Sequence, residues 1–202
     1  MANVLIVYHS VGGATRNLAH LIAEGARSEG ALVRLCVPSA GTGVEADEAV
    51  RVVTQDDFAW ADAVALGSPS RFGNVSAELK SVIDGCGRAW SDGLLADKVY
   101  TAFATSGSPY GGAQQVIQSI YNSVCHFGGI IVPPGYVSPD AMAAGGNPYG
   151  VAFHTRESVE PGASVASVAR HQGARVARFA RILSGGVLQH PAEPEALIRE
   201  AG

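Results

Sequence analysis

Short apolar runs recur along this chain, each leading into polar residues and then, in most cases, into helical spacing. That alternation constrains the fold more than any other feature. Residues 4–8, 31–37, 63–66, 98–104 and 130–132 read as strands. A continuous apolar run of this length is what a parallel strand covered on both faces requires. Helical spacing appears in Leu18, Leu21, Ile22 and Ala26, then in Leu79, Val82, Ile83 and Cys86. It returns in Val116, Ile117, Ile120, Tyr121 and Val124, and over residues 164–183 in Val165, Val168, Val176, Phe179 and Leu183. Five strands alternating with helices predict an α/β domain over residues 1–186. Its sheet is parallel and doubly wound, in the order 2-1-3-4-5, with helices on both faces and right-handed crossovers. Residues 187–202 are expected to form a tail.

Between these elements the pattern weakens. Gly25 counts against its helix, and Gly30 ends it. Residues 39–49 read as a Gly-rich acidic surface loop, 56–61 as a turn or short helix, and 89–95 as irregular. Residues 133–160 are rich in Gly, Pro and Ala without periodicity, the mark of a functional or disordered loop.

The bulk numbers exclude several classes. A net charge of −4 with no basic tract argues against nucleic acid and anionic membrane as partners. Three widely spaced cysteines, Cys36, Cys86 and Cys125, support neither a disulfide framework nor a zinc site, and suit a reducing cytoplasm. The six histidines show no metal-ligand spacing. No signal peptide or bilayer-spanning run is expected. A Walker lysine loop, a G-x-G-x-x-G turn and a G-x-S-x-G elbow are all missing.

What remains is a set of three polar loops after the first, third and fourth strands. In the order 2-1-3-4-5 their ends lie side by side at the switch point, where ligands bind in open α/β sheets. Ser10-Val11-Gly12-Gly13-Ala14-Thr15 precedes a helix N-terminus, which offers free N–H donors and a positive partial charge to a phosphate. An ordinary N-cap by Ser10 or Thr15 is the other reading. Arg16 either adds charge there or points to water. Ser70-Arg71-Phe72-Gly73-Asn74 offers backbone donors, one cation and one aromatic wall, and so suits a flat, partly anionic ligand. Arg71 is equally readable as a surface ion pair, and Phe72 and Trp90 as core aromatics. Thr105-Ser106-Gly107-Ser108-Pro109-Tyr110 is the third loop. His126, near a helix end, reads as a capping histidine.

Several segments together resemble one family. They are Tyr8-His9-Ser10 with Gly13, Gly67-Ser68-Pro69-Ser70-Arg71-Phe72-Gly73-Asn74, Trp90, Ser106-Gly107, Cys125-His126-Phe127-Gly128, Pro133-Pro134-Gly135-Tyr136 and Gly145-Gly146-Asn147-Pro148-Tyr149-Gly150. They look like the WrbA-type NAD(P)H:quinone oxidoreductases, which are flavodoxin-like FMN proteins. The resemblance implies that residues 10–15 hold the FMN phosphate. It implies that Ser70, Arg71 and Phe72 contact the isoalloxazine, that Gly73 and Asn74 also bind the cofactor, and that Thr105 through Tyr110 wrap the ring's other edge. It implies that His126 reaches a flavin, that of a neighbouring subunit being one option, and that Trp90 lines the place where nicotinamide and quinone alternate. A homotetramer and NAD(P)H as co-substrate are implied as well. Gly12 departs from the family, standing where an aromatic often contacts the nucleotide. Two rival readings are a flavodoxin-like electron carrier without quinone turnover and a flavin-free binding scaffold.

Overall fold

The computed structural model describes residues 1–39, 50–156 and 158–185. Most of the expected 39–49 loop, Glu157 and the expected tail lie outside them. The chain order is β1 (Asn3–Tyr8), α1 (Ala14–Ser28), β2 (Leu32–Val37), β3 (Val50–Val52), α2 (Gln55–Trp60), β4 (Ala63–Pro69), α3 (Ala77–Gly85), α4 (Gly87–Ser91), β5 (Val99–Ser106), α5 (Ala113–Phe127), β6 (Ile130–Ile131), β7 (Ala152–His154) and α6 (Ala163–Gly185). The sheet order is β3-β2-β1-β4-β5-β6, with β7 also on β5, and every pairing is parallel. The five expected strands are β1, β2, β4, β5 and β6, and they stand in the expected order.

Alternation along β1 divides the core. Val4, Ile6 and Tyr8 pack with Leu18, Ile22, Val168 and Val176 of α1 and α6. Leu5 and Val7 pack on the other face with Leu79, Val116, Ile117 and Ile120 of α3 and α5. Each strand side chain is thus buried whichever way it points, which is why the runs are apolar without alternation. Gly25, a blemish to the eye reading for helix propensity, lets α1 meet α6. A Cβ there would lie 1.9 Å from the Arg170 carbonyl oxygen, and one on Gly173 would lie 1.9 Å from that of Ile22. The two helices therefore touch backbone to backbone.

Three elements were not expected. The edge strand β3 is held through Asp57, whose fully buried carboxylate pairs with Arg34 at 3.0 Å and also with Arg51. Asp57 also accepts from the Thr54 N–H at 2.9 Å, fixing the start of α2. The segment around Trp90, expected to be irregular, forms α4. The 133–160 stretch, expected to be without structure, contains β7.

That strand completes a split edge. β6 pairs with Val99 and Tyr100, and β7 with Ala104 to Ser106, so Ala102 in between, paired with Leu66 of β4 on its other side, has no strand partner on this edge. Two side chains replace the missing ladder. Tyr121 Oη accepts from the Ala102 N–H at 3.2 Å and donates to the Tyr149 carbonyl at 2.5 Å. Gln172, fully buried, donates to the Ala102 carbonyl at 2.8 Å and to Thr101 Oγ1 at 2.7 Å, and accepts from the Val151 N–H at 2.8 Å. Burial pushes the Tyr121 phenol up to about 12, so it stays a donor. The chain returning to the sheet is thereby pinned beside the third polar loop.

Candidate active site

The loops after β1, β4 and β5 meet at the carboxyl end of the sheet. Thr15 and Thr105 join their hydroxyls at 2.8 Å, linking the first loop to the third. The Ser70 N–H donates to the Thr105 carbonyl at 2.6 Å, and the Ser70 hydroxyl to the Gly111 carbonyl at 2.6 Å, linking the second to the third. Gly112 brings them closest: a Cβ on it would lie 2.7 Å from Gly73 Cα. The three segments expected to cooperate are therefore neighbours.

In the first loop Val11 and Gly12 are exposed, while Ser10, Ala14 and Thr15 are buried. Gly13 caps α1 in the left-handed region at φ 91°, with no side-chain capping bond and no acidic residue in the first turn. The ordinary N-cap reading therefore does not hold, and the free N–H groups there have no side-chain partner. Ser10 Oγ is buried without a hydrogen-bond partner. A buried hydroxyl left unpaired costs on the order of 1–3 kcal/mol, and a ligand oxygen relieves it.

In the second loop, Arg71 and Asn74 exchange backbone hydrogen bonds at 2.9 and 3.0 Å. The two residues between them, Phe72 and Gly73, have φ of 53° and 81°. This is a tight turn with both central residues left-handed, a conformation that Asn-Gly adopts easily and phenylalanine does not. The Phe72 ring stands fully in solvent. Tyr110 on the third loop is equally exposed. Phe72 is therefore not a core aromatic. Arg71 and Asn74 are exposed, and Gly73 is half-buried. In the third loop Thr105 and Ser106 are buried, Gly107, Ser108 and Pro109 exposed, and the Ser106 hydroxyl donates to the Ser108 carbonyl at 2.7 Å.

Trp90 and His126 are not part of this cluster. Trp90 Nε1 donates to the His126 carbonyl at 2.8 Å. The two line a groove of about 290 Å³ with Lys80, Ile83 and Phe127. His126 lies near the far end of α5, ~20 Å along the helix from the third loop at 1.5 Å per residue.

Two features escaped sequence reasoning. His9, at the end of β1, is buried, and neither ring nitrogen has a hydrogen bond. Its Nδ1 lies 3.3 Å from Glu78 Oε2. Burial pushes the imidazole pKa below its ordinary value; the Glu78 carboxylate opposes this, and Arg71 adds to it. Its place between Ser10 and the end of a central strand was the available signal. The second is a cavity of about 370 Å³ on the outer side of the third loop, lined by Ser106, Pro109, Asn147, Phe153 and His154 among others.

The parallel sheet with three polar loops meeting at its carboxyl end defines a flavodoxin-like α/β protein. A WrbA-like flavodoxin from Agrobacterium tumefaciens superposes with a TM-score of 0.68 and 27% identity, over 90% of this chain and 99% of that one. A flavodoxin from the domain Archaea, 17% identical with a TM-score of 0.62, shares the fold. The chain belongs to the NADPH-dependent FMN reductase family, whose model matches residues 2–143. Proteins called NAD(P)H dehydrogenase (quinone) from Paracoccus denitrificans and Cupriavidus metallidurans are 33% and 34% identical to it. The matches span 92% of this chain and 97% and 100% of theirs. Among the described residues no group of His, Cys, Asp and Glu could hold a metal ion, and no helix is long and apolar enough to cross a membrane.

Proposed function

We propose that this chain is an FMN-dependent NAD(P)H:quinone oxidoreductase. The observation that carries the reading is the buried, unpaired Ser10 hydroxyl beside an uncapped helix N-terminus, joined through Thr15 and Thr105 to two loops bearing exposed aromatic rings. Bound FMN supplies the chemistry, moving two electrons as hydride from NAD(P)H to a quinone.

The residues do the rest. Ser10 Oγ and the N–H groups of residues 11–15 hold the phosphate at the positive end of α1. Phe72 and Tyr110 wall the ring. The N–H groups of Phe72, Gly107, Ser108 and Tyr110, which the hydrogen bonds within the loops do not use, donate to its polar edge. Arg71 supplies positive charge where negative charge collects on reduction, an electrostatic task for a fixed group.

Trp90 and His126 serve the site from a neighbouring copy in a homotetramer. Their distance from the slot of their own chain and their exposure support this arrangement. Three unpaired cysteines, Cys36, Cys86 and Cys125, suit a cytoplasmic location.

Steady-state oxidation of NADH and NADPH with benzoquinone tests the proposal. Turnover that depends on added FMN is expected. Flavin binding without reduction by either nucleotide means an electron carrier; no flavin binding means a scaffold. Either result overturns the enzyme.

A further inference from the structure

Arg16 lies in the first turn of α1, the end at which a cation is electrostatically unfavourable. Its side chain nevertheless folds back over the loop: Nη2 lies 3.3 Å from where a Cβ on Gly13 would stand. Among the described residues no carboxylate pairs with it. The same turn has no acidic residue and no side-chain cap, and the buried Ser10 hydroxyl beside it is unpaired. A cation, a helix N-terminus and an orphaned hydroxyl thus share one loop, and no described carboxylate neutralises them. Repelling groups persist at one place when something bound there reverses the sign of their interaction.

We propose that Arg16 is a specificity-determining residue. It clamps a dianionic phosphate monoester over the Gly13 turn, so that the chain selects FMN over unphosphorylated riboflavin by charge. This rests on the reading of the slot as an FMN site and adds to it a charge-assisted contact. The α1 end and a neutral hydroxyl bind one negative charge well. The second charge of a monoester is matched by the guanidinium, which presents paired N–H groups to phosphate oxygens.

The test is titration of the flavin-free chain with FMN and with riboflavin, at low and high salt, for wild type, Arg16→Gln and Arg16→Lys. The expected result is that Arg16→Gln weakens FMN binding by about 10- to 100-fold, leaves riboflavin binding unchanged, and flattens the salt dependence of FMN binding. Arg16→Lys keeps the salt dependence at intermediate affinity. The flavin-free Arg16→Gln protein melts at or above the wild-type temperature, which a structural role for Arg16 does not allow. Equal losses for both flavins, or none for FMN, overturn the proposal. If wild type binds neither flavin, the FMN reading fails, and inorganic phosphate then decides for Arg16. A phosphate-induced rise in melting temperature that Arg16→Gln abolishes supports the clamp, and a rise of the same size in both, or none in either, overturns it.

Discussion

Replacing Gly112 by alanine separates backbone strain from loop spacing. Gly112 has φ +86°, and its new Cβ would lie 2.7 Å from Gly73 Cα and 3.2 Å from Ser70 Oγ. Gly73 offers backbone there, and Ser70 Oγ is already engaged with the Gly111 carbonyl and the Gly73 N–H, so the second loop must move away from the third. Gly30, at the opposite end of α1, has φ +77° with nothing within 4 Å. Gly30→Ala therefore carries the left-handed strain alone, about 1–2 kcal/mol. Reduced freedom of the unfolded chain offsets about 0.4–1 kcal/mol of that. Gly112→Ala carries the same strain plus overpacking of about 1–3 kcal/mol. Urea unfolding of the flavin-free proteins should show a loss of about 1 kcal/mol for Gly30→Ala and about 2–4 kcal/mol for Gly112→Ala. FMN titration should show wild-type affinity for the first and a loss of about tenfold or more for the second. Equal stability losses, or wild-type FMN affinity in Gly112→Ala, would refute the claim that these two loops are set against each other to shape the slot.

Ser10→Ala should raise the stability of the flavin-free chain by about 1 kcal/mol, since it removes an unpaired buried hydroxyl, and weaken FMN about 5- to 10-fold; urea curves and a flavin titration check both. Gln172→Leu strips partners from the Val151 N–H, the Ala102 carbonyl and Thr101 Oγ1, and should cost about 3–5 kcal/mol in chemical unfolding. Burial lowers the pKa of His9 and of His171 below 6.5. The unfolded chain therefore binds protons that the folded one resists, and stability should be lost as pH falls below about 6.5 toward the folded values. Urea midpoints between pH 7 and 5 should fall less steeply in His9→Phe than in wild type; an unchanged slope contradicts the buried neutral imidazole.

How much of this was legible follows from the length of each signal. β1 and β4 are buried on both faces, so their apolar runs needed no partner information. The three loops were found because Gly, Ser, Thr and Asn cluster where such runs end. β3 (Val50–Val52) and β7 (Ala152–His154) have three residues each and carry no continuous apolar run of the kind that marked residues 130–132, and α4 has five. β3 depends on Asp57 binding two arginines from separate strands, a tertiary fact with no local trace. Tyr121 was placed inward as one more apolar residue, but its hydroxyl fills the gap in the split sheet edge. Gly25 read as a weak point because propensity scales see one helix at a time. The Phe72 loop was recognisable by composition, whereas its left-handed backbone was not. Trp90 and His126 were tied to the slot only by the resemblance, and the fold sets them together in a groove of their own.

The central claim is that three loops from separate strands form one slot for FMN. Amide chemical-shift mapping of the flavin-free chain during FMN titration tests it most directly. Amides in residues 10–15, 70–74 and 105–112 are expected to shift together with a single midpoint at one equivalent. Shifts confined to the groove beside Trp90, or to the cavity beside His154, would contradict it, as would three loops that titrate independently.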